Sequence, residues 1–243
     1  MKTWKDPRSP WGVKSYFADH EFETMMDELR VRVGSDYFVE GQGINVDLVL
    51  LRCFEVEADY VTLPPNTLGR TLFAPDGRLQ VQVSRDLAEL AETNNTARRR
   101  LRATLSHECG HISCHRHFFL RDHETLSLFG EDDRKKPEPA ILCRNETIGK
   151  HGYRGEWWEF QANQCMAALL LPKQLVVPRV AAALATCGQE SFEDAIRENE
   201  AERILLALSN QFDVSSEATF YRLQDFGYIP TEAQAPLELR DSI

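Results

Sequence analysis

The chain has 243 residues, 42% hydrophobic and 27% charged, an ordinary globular composition that excludes a disordered or fibrous protein. Its net charge of −10 repels a phosphate backbone and argues against tight, sequence-independent binding to nucleic acid. The opening MKTWKDPRSPWGVK has no apolar run behind its positive charges, no later stretch is long enough to span a bilayer, and the six cysteines lack CxxC spacing, so the expectation is a cytoplasmic protein without membrane segments whose cysteines are buried thiols.

In chain order, FADHEFETMMDELRVRV places Phe17, Phe22, Met25, Met26 and Leu29 near helical spacing, and Gly41-Gln-Gly43 ends that pattern, so residues 1–43 read as an N-terminal helical extension. Asn45 suits the cap of a short helix over VDLVLLRCF. Val56–Leu63 and Thr71–Val83 carry the alternation of strands, and Ala74-Pro75-Asp76-Gly77 has hairpin-turn residues, which together predict a small antiparallel sheet. From Thr96 the pattern turns helical, with Ala97, Leu101, Thr104, Leu105 and Ile112 on one arc and His107 and His111 at its edge. Residues 116–156, rich in charge with Pro137, Pro139, Gly149, Gly152 and Gly155, read as an irregular insertion.

A helix resumes near Trp157 and stops before Pro172, which completes a main α+β domain over 44–188. The rest is helical: Lys173–Leu184, the acidic stretch SFEDAIRENEAERILLAL, and SSEATFYRLQDFG, with a loose tail closing the C-terminal segment 189–243. LLALSNQFDVSSEATFYRL has the helix, tight turn, helix shape of a helix-turn-helix. Its second helix sets Arg222 against Glu217 and Asp225, poor equipment for phosphates, while Ala218, Tyr221, Leu223 and Phe226 form a packing stripe, so a scaffold is favoured over DNA reading.

The segment LSHECGH, Leu105–His111, carries the chemistry. Histidines four apart on a helix point the same way one turn apart, as a single tetrahedral ion requires. Glu108 stands about 100° round the helix, placed to act on water at the ion without ligating it. This is the HExxH pattern of metallopeptidases. Two solvated surface histidines would leave the preceding hairpin and a later carboxylate without a role.

Two residues compete as third ligand. His117 has the metzincin spacing, but that pattern needs a glycine where this chain has Cys114, and cysteine resists the left-handed turn. Glu159, in WWEFQANQCMAALLLP, shares a helix face with Asn163, so Glu159 is favoured as ligand with Asn163 supporting from behind. His115, His117, His123, Cys114 and Cys143 also raise a second structural metal site as a lesser alternative, and His151, Tyr153 and Arg154 are candidates to stabilise an oxyanion.

RATLSHECGHI, then WEFQANQCMAALLLP, then LSNQFDVSSEATFYRLQDFGYI, in that order and with the hairpin segment TLFAPDGRLQVQVS ahead of them, resemble the ImmA/IrrE family of intracellular zinc metallopeptidases from about Ala58 to Pro230. The resemblance implies a zincin-like fold, Zn2+ held by His107, His111 and Glu159, and Glu108 as general base. It further implies cleavage of a helix-turn-helix transcriptional repressor in a stress-response or mobile-element switch. The interval from His111 to Glu159 is longer than the resemblance implies. The competing expectation is a non-proteolytic regulator or toxin–antitoxin component that uses a zincin fold for protein binding.

Overall fold

A computed structural model describes residues 2–7, 9, 11–74, 77–129, 140–144 and 156–230, with the backbone alone at 120–129 and 140–144. The chain is α+β and divides into two units, Met1–Tyr37 with Asn45–Leu169, and Phe38–Ile44 with Leu170–Ile243.

The first unit opens on strands that the sequence pattern did not announce: β1 (Lys2–Lys5) pairs antiparallel with β2 (Val13–Tyr16). Four-residue strands with most side chains exposed carry little alternation to read. Helix α1 (Asp19–Val33) follows as expected and buries Phe22, Met26, Leu29 and Val33, the i, i+4, i+7, i+11 face of its wheel. Its entry is fixed by the Ala18 N–H donating to the Glu21 carboxylate at 2.8 Å, and it ends at Gly34, whose φ of +78° a side chain would resist. Gly41 and Gly43 do not stop this helix; they lie at the turn between β3 (Phe38–Val39) and β4 (Gly43–Ile44), a strand pair of the second unit. Asn45 caps α2 (Val46–Val49), its Oδ1 accepting from the Leu48 N–H at 3.1 Å, and a π-helical turn over Leu50–Phe54 continues it.

The sheet comprises β5 (Ala58–Val61), β6 (Thr67–Phe73), β7 (Leu79–Ser84) and β8 (Ala140–Arg144) in the order β5-β7-β6-β8. It is mixed and not wholly antiparallel, because β5 pairs parallel with β7 (Ala58 opposite Val81) while β6 pairs antiparallel with both β7 and β8. The chain leaves β5 through Pro64-Pro65-Asn66 and runs back along β6. The turn closed by the Gly77 N–H on the Ala74 carbonyl at 2.9 Å then brings β7 up between them, in the direction of β5. A period of two fixes which face a residue occupies and is silent on which strand lies beside it.

Along β6, Thr67, Gly69, Thr71 and Phe73 are buried and alternate with half-buried residues. That face packs against α4 with small residues at Thr67, Gly69 and Thr71 and with Phe73 stacked on Phe119. Before α4 comes α3 (Arg85–Ala91), capped by the Ser84 hydroxyl, with Leu87 and Ala91 packed on Ala97.

Helix α4 spans Asn95–Phe129, with Asn94 Oδ1 accepting from the Ala97 N–H at 3.0 Å. The expected irregular insertion therefore begins later than 116: residues 116–129 continue the helix and 140–144 form β8. Charge alone does not break a helix, and the first proline after His111 is Pro137, so nothing in 116–129 opposes helical continuation. The remainder of that interval, 130–139 and 145–155, lies outside the described residues, as does the tail from 231. Helix α5 (Trp157–Leu170) ends before Pro172 as expected, and Tyr37 Oη donates to the Leu169 carbonyl at its last turn, at 2.9 Å.

The second unit continues with α6 (Lys173–Thr186), α7 (Phe192–Arg197), α8 (Ala201–Phe212) and α9 (Ser216–Asp225). The acidic stretch divides at Asn199, whose φ is +58°. The turn from α8 to α9 uses Asp213 in the left-handed region and Ser215 as cap, and the Ser209 and Thr219 hydroxyls bond across it at 3.0 Å. Arg222 is buried, donating from Nε to the Leu171 carbonyl at 3.0 Å. No single helix among the described residues is long and apolar enough to cross a membrane.

Candidate metal centre

The 3.6-residue repeat of α4 stacks His107, His111 and His115 along one line, and all three are fully buried. Helix α5 brings Glu159 and Asn163, one turn apart, against the first two. His107 Nε2 lies 2.9 Å from His111 Nε2 and 3.2 Å from Glu159 Oε2, and His111 Nε2 lies 3.4 Å from Glu159 Oε1. Among the described residues these three form the group of histidine, cysteine and carboxylate side chains able to hold a metal ion, with their ligand atoms all within 4.8 Å of one another.

The protons around the group decide what it accepts. His107 Nδ1–H donates to Asn163 Oδ1 at 3.0 Å, which leaves its Nε2 as a bare lone pair facing the Glu159 carboxylate. Burial acts to raise the Glu159 carboxyl, but the two imidazoles beside it, His111 foremost, outweigh burial and hold the group well below the usual carboxylate range. Burial pushes His111 below the ordinary imidazole value, against the pull of Glu159. Acceptors converging among buried side chains fit a cation, and the donor set of two imidazoles and a carboxylate suits a transition-series ion better than calcium or magnesium.

Glu108, the next residue after His107, is fully buried but does not join the group. Its carboxylate turns toward β6, where Thr71 Oγ1 donates to Oε2 at 2.5 Å. A Cβ on Gly69 would stand 2.8 Å from Glu108 Oε1 and 2.7 Å from Thr104 Cγ2, so the absence of a side chain on β6 makes room for this carboxylate. The sheet thus positions Glu108 through two residues, Thr71, which the sequence pattern marks only as strand, and Gly69, which that pattern leaves between strands.

Gly110, inside HECGH, has a packing role that the motif does not mark. A Cβ there would lie 2.7 Å from the Ala162 carbonyl oxygen and 2.9 Å from Ala162 Cα, so α4 and α5 touch backbone to backbone between the ligands. The readable signal was a glycine in a long helix, costing about 1 kcal/mol of propensity unless something approaches closely. Gly110→Ala is therefore expected to destabilise the fold by about 1–3 kcal/mol through overpacking, and to weaken metal binding as the ligand helices part. Urea unfolding and metal titration check this; wild-type values in both would show that the contact is slack.

The other candidates fall elsewhere. His117 is half-buried with its ring against Phe118, centroids 4.0 Å apart, away from the group, so Glu159 and not His117 completes it. Cys114 Sγ lies 3.3 Å from Cys165 Sγ, joining α4 to α5 as buried thiols, and burial raises the Cys165 thiol well above its ordinary value. The side chains of His123 and Cys143, and residues His151, Tyr153 and Arg154, lie outside the described set. Compared with models of known protein families and with curated proteins, the chain matches none.

Proposed function

We propose that the chain is a zinc-dependent endopeptidase with a zincin-like fold, of the ImmA/IrrE kind that its motifs resemble, acting in the cytoplasm. One observation carries the reading: His107, His111 and Glu159 converge their ligand atoms in a buried place, while the neighbouring carboxylate, Glu108, is held out of that group by Thr71. A purely structural metal site has no use for a second carboxylate kept ready beside it. Two imidazoles and a carboxylate are the donors zinc takes at catalytic sites, and zinc supplies there the Lewis acidity that lowers the pKa of water and polarises a peptide carbonyl.

The protein's own residues do the rest. Asn163 holds His107 in the tautomer that offers Nε2. Thr71 holds one oxygen of Glu108, and that carboxylate takes a proton from the attacking water and returns it to the leaving amine. Burial of all these groups excludes competing solvent and strengthens each electrostatic contact.

The proposed substrate is a helix-turn-helix transcriptional repressor, cleaved to release a stress-response or mobile-element switch. The test incubates the purified zinc-loaded protein with repressors encoded beside its gene and reads products by mass spectrometry. Cutting at one site, abolished by a chelator and restored by added zinc, is expected. A repressor that is bound but stays intact under zinc-replete conditions would replace the peptidase with a binding regulator or toxin–antitoxin component.

A further inference from the structure

We propose that Ser15, Gln161 and His115 form a hydrogen-bond relay that fixes the tautomer of His111 and so positions it as a metal ligand, making the N-terminal ribbon part of the metal centre; the inference rests on reading the site as a metal centre. His107 and His111 need the same property, a bare Nε2, yet only His107 receives it from Asn163. The relay supplies it to His111 from the opposite side.

The protons can be placed one at a time. Gln161 Nε2–H donates to the Ser15 carbonyl in β2 at 2.8 Å, which orients the amide and turns its Oε1 toward His115. At 3.1 Å from that oxygen, His115 Nε2 must be the donor. His115 is fully buried. Its Nδ1 stands 3.1 Å from His111 Nδ1, a separation that calls for one proton between the two nitrogens. With His111 ligating through Nε2, as the metal-centre reading requires, that proton belongs to His111 Nδ1 and the His115 Nδ1 lone pair accepts it. His111 Nε2 is left bare, facing the bare His107 Nε2 at 2.9 Å and Glu159, a convergence of lone pairs that a cation held between them would satisfy.

The packing keeps this chain in line. Trp11, on the segment between β1 and β2, lies nearly parallel to the His115 ring at 10° with centroids 6.2 Å apart, and Trp157 meets the same ring edge-on at 5.6 Å. Ser15 and Gln161 are both buried. A ribbon whose outer residues are exposed is thus anchored at the one carbonyl that sets the direction of the relay.

Nitrogen-15 NMR of the full-length, metal-free protein reads the His115 tautomer, and cobalt titration compares wild type with His115→Phe and His115→Asn. Phenylalanine keeps the ring and removes the acceptor; asparagine sets an amide oxygen where Nδ1 stood. The expected results are His115 protonated at Nε2, cobalt affinity lowered about 10- to 100-fold in His115→Phe, and recovery to within about fivefold of wild type in His115→Asn. A His115 protonated at Nδ1, a His115→Phe protein binding cobalt like wild type, or a His115→Asn protein as weak as His115→Phe each overturns the relay. A wild type that takes up no cobalt while His115 carries its proton on Nε2 overturns the metal-centre reading and the proposal with it, and the tautomer separates that failure from failure of the relay.

Discussion

Glu108→Gln is expected to lower peptide cleavage by about 10²- to 10⁴-fold, the usual contribution of a positioned general base, while zinc content and unfolding midpoint stay near wild type. The substitution keeps the size of the side chain, and the amide oxygen still accepts from Thr71 Oγ1. It removes the one property the reaction needs, since a neutral amide takes no proton from water. Zinc content is expected to hold because Glu108 lies outside the group that His107, His111 and Glu159 form. Elemental analysis beside a cleavage assay on the same preparation separates the two effects. Cleavage that survives would move the base elsewhere, and metal lost together with cleavage would make Glu108 part of the binding site.

Glu159→Ala is expected to lower metal affinity by about a hundredfold or more, taking about 10–16 kcal/mol for a four-ligand zinc site and hence about 3 kcal/mol per ligand. It removes the only negative charge of the group and leaves two imidazole nitrogens 2.9 Å apart with no anion between them and the helix that carried it. His117→Ala is the matched control, because that ring packs on Phe118 and no atom of it enters the group. Bound metal per chain, measured in both variants and in wild type after zinc-replete purification, is expected to be near one in wild type and His117→Ala and near zero in Glu159→Ala. The reverse pattern would restore the metzincin spacing as the operative one.

Much of what brings these residues together was legible. The helical spacing of Phe22, Met26 and Leu29, the cap at Asn45, the turn before Arg78 and the stop before Pro172 each have a local cause, and each element formed where that cause lies. The i, i+4 spacing of His107 and His111 and of Glu159 and Asn163 was equally local. What the pattern could not carry was partnership across the chain. That β7 lies parallel to β5, that Gly69 and Thr71 reach Glu108, and that His115 hands its lone pair to His111 and its proton to Gln161 all depend on which elements meet in space. The irregular stretch expected over 116–156 begins later for a different reason: its breakers, Pro137, Pro139, Gly149, Gly152 and Gly155, all lie past Phe129, and the charge before them marks exposure without stopping a helix.

The backbone contact between Gly110 and Ala162 separates two demands on the chain that are usually coupled. The spacing of the ligands is set where α4 and α5 touch, and His115 on the first turns after His111 shares in holding them. Loop-closure entropy grows only with the logarithm of length, so doubling a connecting stretch beyond those turns costs about 0.6 kcal/mol. Insertions within 130–139 or 145–155 are therefore expected to be nearly neutral to the ion, while HECGH, His115 and the EFQAN helix stay fixed. A protein built this way can be refitted to a new partner by editing one stretch of its gene, with its chemistry left untouched.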